Sequence, residues 1–263
     1  MTTSNYLAEL TWADVADILE REHIVLLPLG SAEAHGPHAP LSTDTIITEA
    51  MIRRALPEIE KAGAFPMVLP NVNYGITEYA GAFPGTISLQ PETLEAIIYD
   101  IGNSLIKYGF KRMFIVNNHF EPEHVQGIYS AAQKISEQGL PVGYLDLTRK
   151  KRAALLTAEF KSGDCHAGSY ETSIVLAARP GLVKEELLQK MGPLEVSLVS
   201  KMSQGFKDFK DIGMEQAYCG FPAAASAEEG NTTLKLLSEM LTDAVSEFLK
   251  TSTADKPGAY HRF

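Results

Sequence analysis

Four short apolar runs, at residues 24–29, 66–69, 113–116 and 142–147, constrain this chain more than any other feature. Each is bounded by turn residues and is too short for a helix, so each reads as a buried strand. Helical patterns lie between and after them, at 45–56, 91–108, 123–136 and 231–249. The first repeats apolar side chains at Ile46, Ile47, Ala50, Met51 and Leu56. Strands alternating with helices imply an α/β fold, with a mainly parallel sheet covered on both faces. In such folds ligands gather beyond the carboxyl ends of the strands, so the chemistry is sought just after each run.

No repeat, low-complexity block or linker divides the 263 residues. We expect one domain over 1–250 and a loosely held tail over 251–263, with Tyr260 and Phe263 free to dock on a neighbouring subunit. Hydrophobic residues make up 45% and charged residues 21%, the balance of a folded domain with a sizeable core. The net charge of −10 repels phosphate, which argues against nucleic acid or an anionic membrane as partner. No run of 18 apolar residues is present to span a bilayer, and the polar N-terminal stretch is unlike a secretory signal. Cys165 and Cys219, far apart and in no metal or redox spacing, fit a reducing compartment; a cytoplasmic location is expected.

The first run leads into GSAEAHGPH and then LSTD, carrying Glu33, His35, His38 and Asp44. Glu33 and His35 are two apart, so an extended segment points them to one side. Asp44 falls in the first turn of the next helix, with Ser42 or Thr43 as its cap. Two carboxylates and an imidazole from one strand-to-helix loop suit zinc, manganese or iron(II). A helix cap beside a solvent-facing Glu-x-His would read the same way. The third run ends in NNHFEP, where His119 and Glu121 repeat the two-residue spacing and Pro122 opens a helix. Two His/Glu pairs at equivalent strand ends, with Asp44, give five ligand-type side chains, enough for two ions if one carboxylate bridges. His38 is a candidate ligand or a donor behind the ligands. His124, on the following helix, faces elsewhere.

A third cluster, GDCHAGSYETS, precedes the apolar stretch 174–178. His166 there could shuttle protons between a bound water and a leaving amine, or simply cap a helix. Asp164 could orient His166, and Glu171 is a further carboxylate for the metal or its surround. Cys165 adjoins His166, but adjacent side chains diverge, which disfavours a thiol nucleophile. A Gly- and Pro-rich loop over 73–86 borders the same strand ends, and substrate choice rests on Thr77, Tyr79, Phe120 and the segment 203–213. Asp164 and Cys165 join that substrate-contacting set. No phosphate-cradling glycine loop is present.

These stretches, LPLGSAEAHGPHAPLSTDT, AFPGTISL, IVNNHFEPEH, HAGSYETSIVLAARP and GFPAAASAEEG, resemble the creatininase (creatinine amidohydrolase) family almost throughout the chain. The resemblance implies a three-layer α/β/α sandwich, two divalent metal ions per chain and a closed homo-oligomer, often a hexamer. It implies Glu33 and His119 on one ion, His35 and Glu121 on the other, and Asp44 bridging. It also implies a metal-bridging hydroxide attacking a small amide carbonyl, with His166 passing the proton to the departing nitrogen. Zinc, manganese and iron(II) all tolerate these ligands. Creatininases proper keep tryptophans around the creatinine ring and a Glu before the catalytic His. This chain has only Trp12, near the N-terminus, and Cys165 before His166. The departure points away from creatinine, towards another lactam, cyclic imide or formamide. The alternatives are a metal-dependent peptidase for a short modified peptide, and a non-catalytic metal or small-ligand binder.

Overall fold

A computed structural model describes residues 4–252 and 260–263. Helix α1 (Trp12–Leu19) leads into β1 (His23–Leu29), α2 (Thr43–Lys61), β2 (Phe65–Val68), α3 (Pro91–Lys107), β3 (Met113–Asn117), α4 (Pro122–Glu137) and β4 (Val142–Tyr144). Five short helices follow: α5 (Lys150–Ala153), α6 (Ala158–Ser162), α7 (Ser169–Ala178), α8 (Glu185–Leu188) and α9 (Leu198–Ser203). The long α10 (Ala227–Thr251) and β5 (Tyr260–Arg262) close the chain.

The sheet order is β2-β1-β3-β4-β5, with every neighbour parallel. All seven residues of β1 are buried, because helices cover both faces of a central parallel strand. Alternate side chains serve opposite cores. Ile24 and Leu26 pack with Ile47, Tyr170 and Leu241 of the α2, α7 and α10 layer. Val25, Leu27 and Leu29 pack with Ile98 and Ile128 of the α3 and α4 layer. The result is the expected three-layer α/β/α sandwich. Among the described residues no helix is long and apolar enough to cross a membrane.

Two features of this frame build the site. The β1–β3 register pairs Leu29 with Asn117, so both strands end side by side and release their His/Glu segments together. Gly30 then lets the chain pass the start of α2, since a Cβ there would lie 2.8 Å from the Thr45 nitrogen. That close approach carries Asp44 over the strand ends.

The structure departs from expectation at three places. Ser42 takes the cap position of α2 but makes no side-chain cap bond, and the Thr43 hydroxyl instead donates to the Pro40 carbonyl (2.7 Å). Strand β4 stops at Tyr144, where the chain turns about the buried Asp146, which accepts from the Thr148 backbone N–H at 3.0 Å. The end of the tail is no free appendage: Tyr260–Arg262 adds a fifth strand to the chain's own sheet, and Phe263 stacks on Phe114. Residues 253–259 of that tail lie outside the described residues.

Candidate metal centre

Glu33, His35, Asp44, His119, His166 and Glu171 converge beyond the carboxyl ends of β1 and β3, and all six are buried. Their ligand-type atoms fall into three groups: Glu33 with Asp44 and His119, His35 with Asp44 and Glu171, and Glu33 with His35 and His166. Asp44 stands between the first two. Its Oδ1 lies 3.2 Å from His35 Nε2, and its Oδ2 lies 3.2 Å from His119 Nδ1. Glu33 Oε1 is 3.2 Å from the same His119 nitrogen, and Glu171 Oε2 is 3.4 Å from His35 Nε2.

The far nitrogen of each histidine is committed to a carbonyl, which can only accept, so the proton must sit there. His35 Nδ1–H donates to the Glu33 carbonyl (3.2 Å), His119 Nε2–H to that of Ile76 (2.6 Å) and His166 Nε2–H to that of Ala34 (3.0 Å). In the neutral rings the nitrogens facing the carboxylates are therefore bare. His35 Nε2 is buried and makes no hydrogen bond, although carboxylate oxygens surround it at 3.2 to 3.7 Å. A lone pair set against anions is repulsive unless a positive charge lies between them, whether a proton or a metal ion. Neutral imidazole and carboxylate oxygen are the donor set that zinc and manganese accept, so the residues fit such ions.

Protons stand in when no cation does. Burial opposes charging His35, but the Asp44 and Glu171 carboxylates overcome it and hold its pKa well above the ordinary value. His119 is likewise raised, by Glu33 and Asp44 acting against burial. Burial opposes ionisation of Asp44 too, yet His35 and His119 hold it well below the usual carboxylate range. His166 moves the other way: burial, reinforced by His35, lowers its pKa and keeps it neutral.

Outer contacts fix the inner ones. Ser31 donates to Asp44 Oδ2 (2.6 Å), and the Thr77 hydroxyl donates to Glu33 Oε2. Ala167, held at φ 52°, turns its N–H onto Glu171 Oε2 (2.7 Å). His124 packs edge-on against the His119 ring at 4.7 Å and accepts from the Ile76 N–H (3.2 Å), so it braces the same residue whose carbonyl orients His119. It faces away from the carboxylates, as its place on α4 implied.

At one position the grouping of side chains differs from the one the resemblance implied. The carboxylate beside His35 is Glu171, which the first turn of α7 delivers, and not Glu121. Glu121 Oε1 and Oε2 instead accept from the backbone N–H groups of Glu78 (3.1 Å) and Tyr79 (3.4 Å). Burial pushes its pKa up to about 7. His38 belongs to no ligand group. It pairs with the Thr172 hydroxyl (2.8 Å), and burial, with His35 and His166 nearby, pushes it down to about 4. Asp164 does not orient His166; its carboxylate accepts from the Leu198 N–H (2.7 Å) at the start of α9. Burial raises the Cys165 thiol well above its ordinary pKa, which leaves it a poor nucleophile.

A cavity of about 780 Å³ opens from this cluster, with Glu33, Asp44, His119, Glu121, His166 and Glu171 at its floor. Tyr79, Phe120 and Cys165 line it as expected, whereas Thr77 works behind it through Glu33. Phe209, from the segment singled out over 203–213, packs on the His166 ring at 4.5 Å. Sequence reading missed Phe160, Leu198, Val199 and Met202 in the wall. Their only signal was apolar side chains in short, irregular helices. Trp12 is 85% exposed and forms no part of the wall.

The creatininase family, described as creatinine amidohydrolase, matches residues 8–245. A mycofactocin precursor peptide peptidase of Mycobacterium ulcerans is 31% identical over 86% of this chain and 84% of its own length. A creatinine amidohydrolase of Pseudomonas putida is 27% identical over 94% and 98%. A mutant creatininase of Zn-Zn type superposes with a TM-score of 0.72 and 25% identity, over 94% of this chain and 98% of that one.

Proposed function

This chain belongs to the creatininase family, and on that footing we propose that it is a dinuclear metal-dependent hydrolase of an amide carbon–nitrogen bond. The observation that carries the reading is Asp44, whose two oxygens each face a different histidine, with a further carboxylate completing each group. One ion would be held by Glu33, Asp44 and His119, and the other by His35, Asp44 and Glu171. Bound there, such ions polarise a carbonyl and lower the pKa of water.

The chain's own residues supply the rest. His166 is neutral, its Nε2–H is anchored on Ala34, and its bare Nδ1 faces the cluster, 3.8 Å from Glu33 Oε1. It takes the proton released as water attacks the carbonyl and returns it to the departing nitrogen. Phe209 fixes the plane of that ring. Phe120, Phe160 and Leu198 keep the approach apolar, which strengthens each electrostatic contact at the floor. The half-buried thiol at Cys165, its pKa raised well above the ordinary value, is a poor competing nucleophile.

The bond we assign is a small non-peptide amide, a lactam, cyclic imide or formamide. The volume of the cavity favours a second reading, cleavage of a short modified peptide, for which the mycofactocin precursor peptide peptidase is a precedent among the relatives. The test is elemental analysis of protein purified without chelator, beside a screen of lactams, formamides and short peptides. About two ions per chain and hydrolysis lost with Asp44→Asn support the proposal. Protein that stays metal-free after reconstitution with zinc and manganese refutes it.

A further inference from the structure

The cavity has a floor and a mouth of opposite sign. Four carboxylates, of Glu33, Asp44, Glu121 and Glu171, lie at the floor. At the mouth, where the exposed Thr148, Lys161, Ser162, Val199 and Ser203 line the wall, the charge is basic. Residues 149–152 read Arg-Lys-Lys-Arg and sit in the segment between Thr148 and Ala153, both of which line the cavity; Lys161 lines it directly. Five of the chain's 23 cations thus fall within 149–161, in a protein whose net charge is −10.

Among the described residues none of these five forms a salt bridge. The acidic side chains around them are already committed. Glu159 accepts from the Ser169 hydroxyl (3.1 Å) and from the N–H groups of Tyr170 and Phe221 (both 2.8 Å). Asp164 accepts from Leu198 N–H, and the buried Asp146 is bound by Arg262 at 2.7 Å. On the surface at the start of α4, Glu123 pairs with Lys207 at 3.5 Å. Arg149 donates to the Arg262 carbonyl (2.9 Å), a neutral acceptor that leaves its charge in place. The five cations outnumber Glu159 and Asp164, so the mouth presents a local positive field despite the net charge. A polyanion would meet repulsion from the rest of the surface, whereas one anionic group on a small molecule would not.

We propose that the substrate carries an anionic group, a carboxylate or a phosphate, which Lys161 and the cations of 149–152 hold at the mouth while the scissile amide lies at the floor. The proposal rests on the amide-hydrolase reading and adds the substrate's charge and orientation to it. The polarity admits one direction of entry, with the amide first and the anion last, and gives a basis for selecting among small amides of similar shape.

Hydroxamates serve as probes because they bind metal and resist this hydrolysis. We would measure by calorimetry, on zinc-loaded protein, a series of straight-chain alkyl hydroxamates against the same chains ended in a carboxylate or in a phosphate. At low salt we expect the anionic members to bind about tenfold more tightly than the neutral ones. The advantage shrinks in high salt and falls in the double variant Lys161→Gln, Arg152→Gln, while Lys61→Gln, on the distant end of α2, preserves it. The better of the two anionic series identifies the source of the charge. Equal affinity for neutral and anionic probes, or a preference left undiminished by the double variant, overturns the proposal and leaves the hydrolase reading standing. Absence of binding by every hydroxamate to protein that holds its zinc overturns the hydrolase reading, and the proposal with it.

Discussion

Asp44 Oδ1 and His35 Nε2 lie 3.2 Å apart with no hydrogen bond between them, and the imidazole nitrogen is closed off from solvent. The other oxygen of Asp44 repeats the distance to His119. One carboxylate therefore serves two histidines whose far nitrogens are anchored elsewhere, and its loss should act on both metal positions. We expect Asp44→Asn to remove both ions and His35→Ala to remove one. Elemental analysis reads the difference directly, and equal losses in the two variants would contradict the shared position of Asp44.

Glu171 and Glu121 compete for the place beside His35. Geometry assigns it to Glu171, at 3.4 Å, and commits both oxygens of Glu121 to backbone N–H groups of the 73–86 loop. Glu171→Gln should therefore lower metal content by about one ion per chain, with the ion beside Glu33 retained. Glu121→Gln should keep more of its metal and instead change the pH profile near neutrality, because the lost group titrates at about 7. The reverse pattern would restore Glu121 as the ligand.

That exchange shows where sequence reading stops. The apolar runs were legible because a parallel strand buried on both faces must be apolar throughout, as β1 is. Glu33, His35 and His119 followed from them, since strand ends locate ligand groups before any packing is known. Glu171 was legible as a further carboxylate for the metal or its surround, but its place beside His35 depends on how α7 docks against α2 and α10, which no local pattern encodes. Strand β5 was invisible for a related reason: Tyr260–Arg262 is three residues with no apolar run, recruited only because the edge of β4 is free. The cavity wall from α6 and α9 was missed because helices of five and six residues are too short to show a period.

Metal binding should release protons. Without metal, His35 and His119 have pKa values raised by the carboxylates around them, so at neutral pH each holds a proton where an ion would bind. Metal must displace both, giving about two protons per chain on loading and an affinity that climbs with pH. The same shifts set the stability of the metal-free protein. A raised histidine contributes fully below its unfolded value near 6.5, and the contribution is lost as pH rises through the folded value. The lowered Asp44 contributes above its unfolded value near 4, and that is lost as pH falls through the folded one. Metal-free protein should thus be most stable between those limits, and metal should move the optimum upward. Calorimetric titrations in two buffers of different ionisation enthalpy, with melting curves from pH 4 to about 9, check both. Loading without proton release would mean that the histidines are already neutral.

The position of Glu171 can be disturbed from a distance, through Gly230. A Cβ at that residue would lie 1.8 Å from the Ser173 carbonyl, so the first turn of α10 touches α7 backbone to backbone. Neither contact is a flexible side chain that could yield. Gly230→Ala must push the helices apart, and we expect a loss of about 2–3 kcal/mol. Ser173 lies two residues beyond Glu171, so the same displacement should draw the carboxylate away from His35 and weaken the ion there. Thermal melting of the metal-free protein reports the first effect, and metal titration of the folded variant reports the second. A variant that melts lower yet binds both ions with unchanged affinity would show that α7 can shift without moving Glu171, and that the Ala167 N–H alone holds the carboxylate in place.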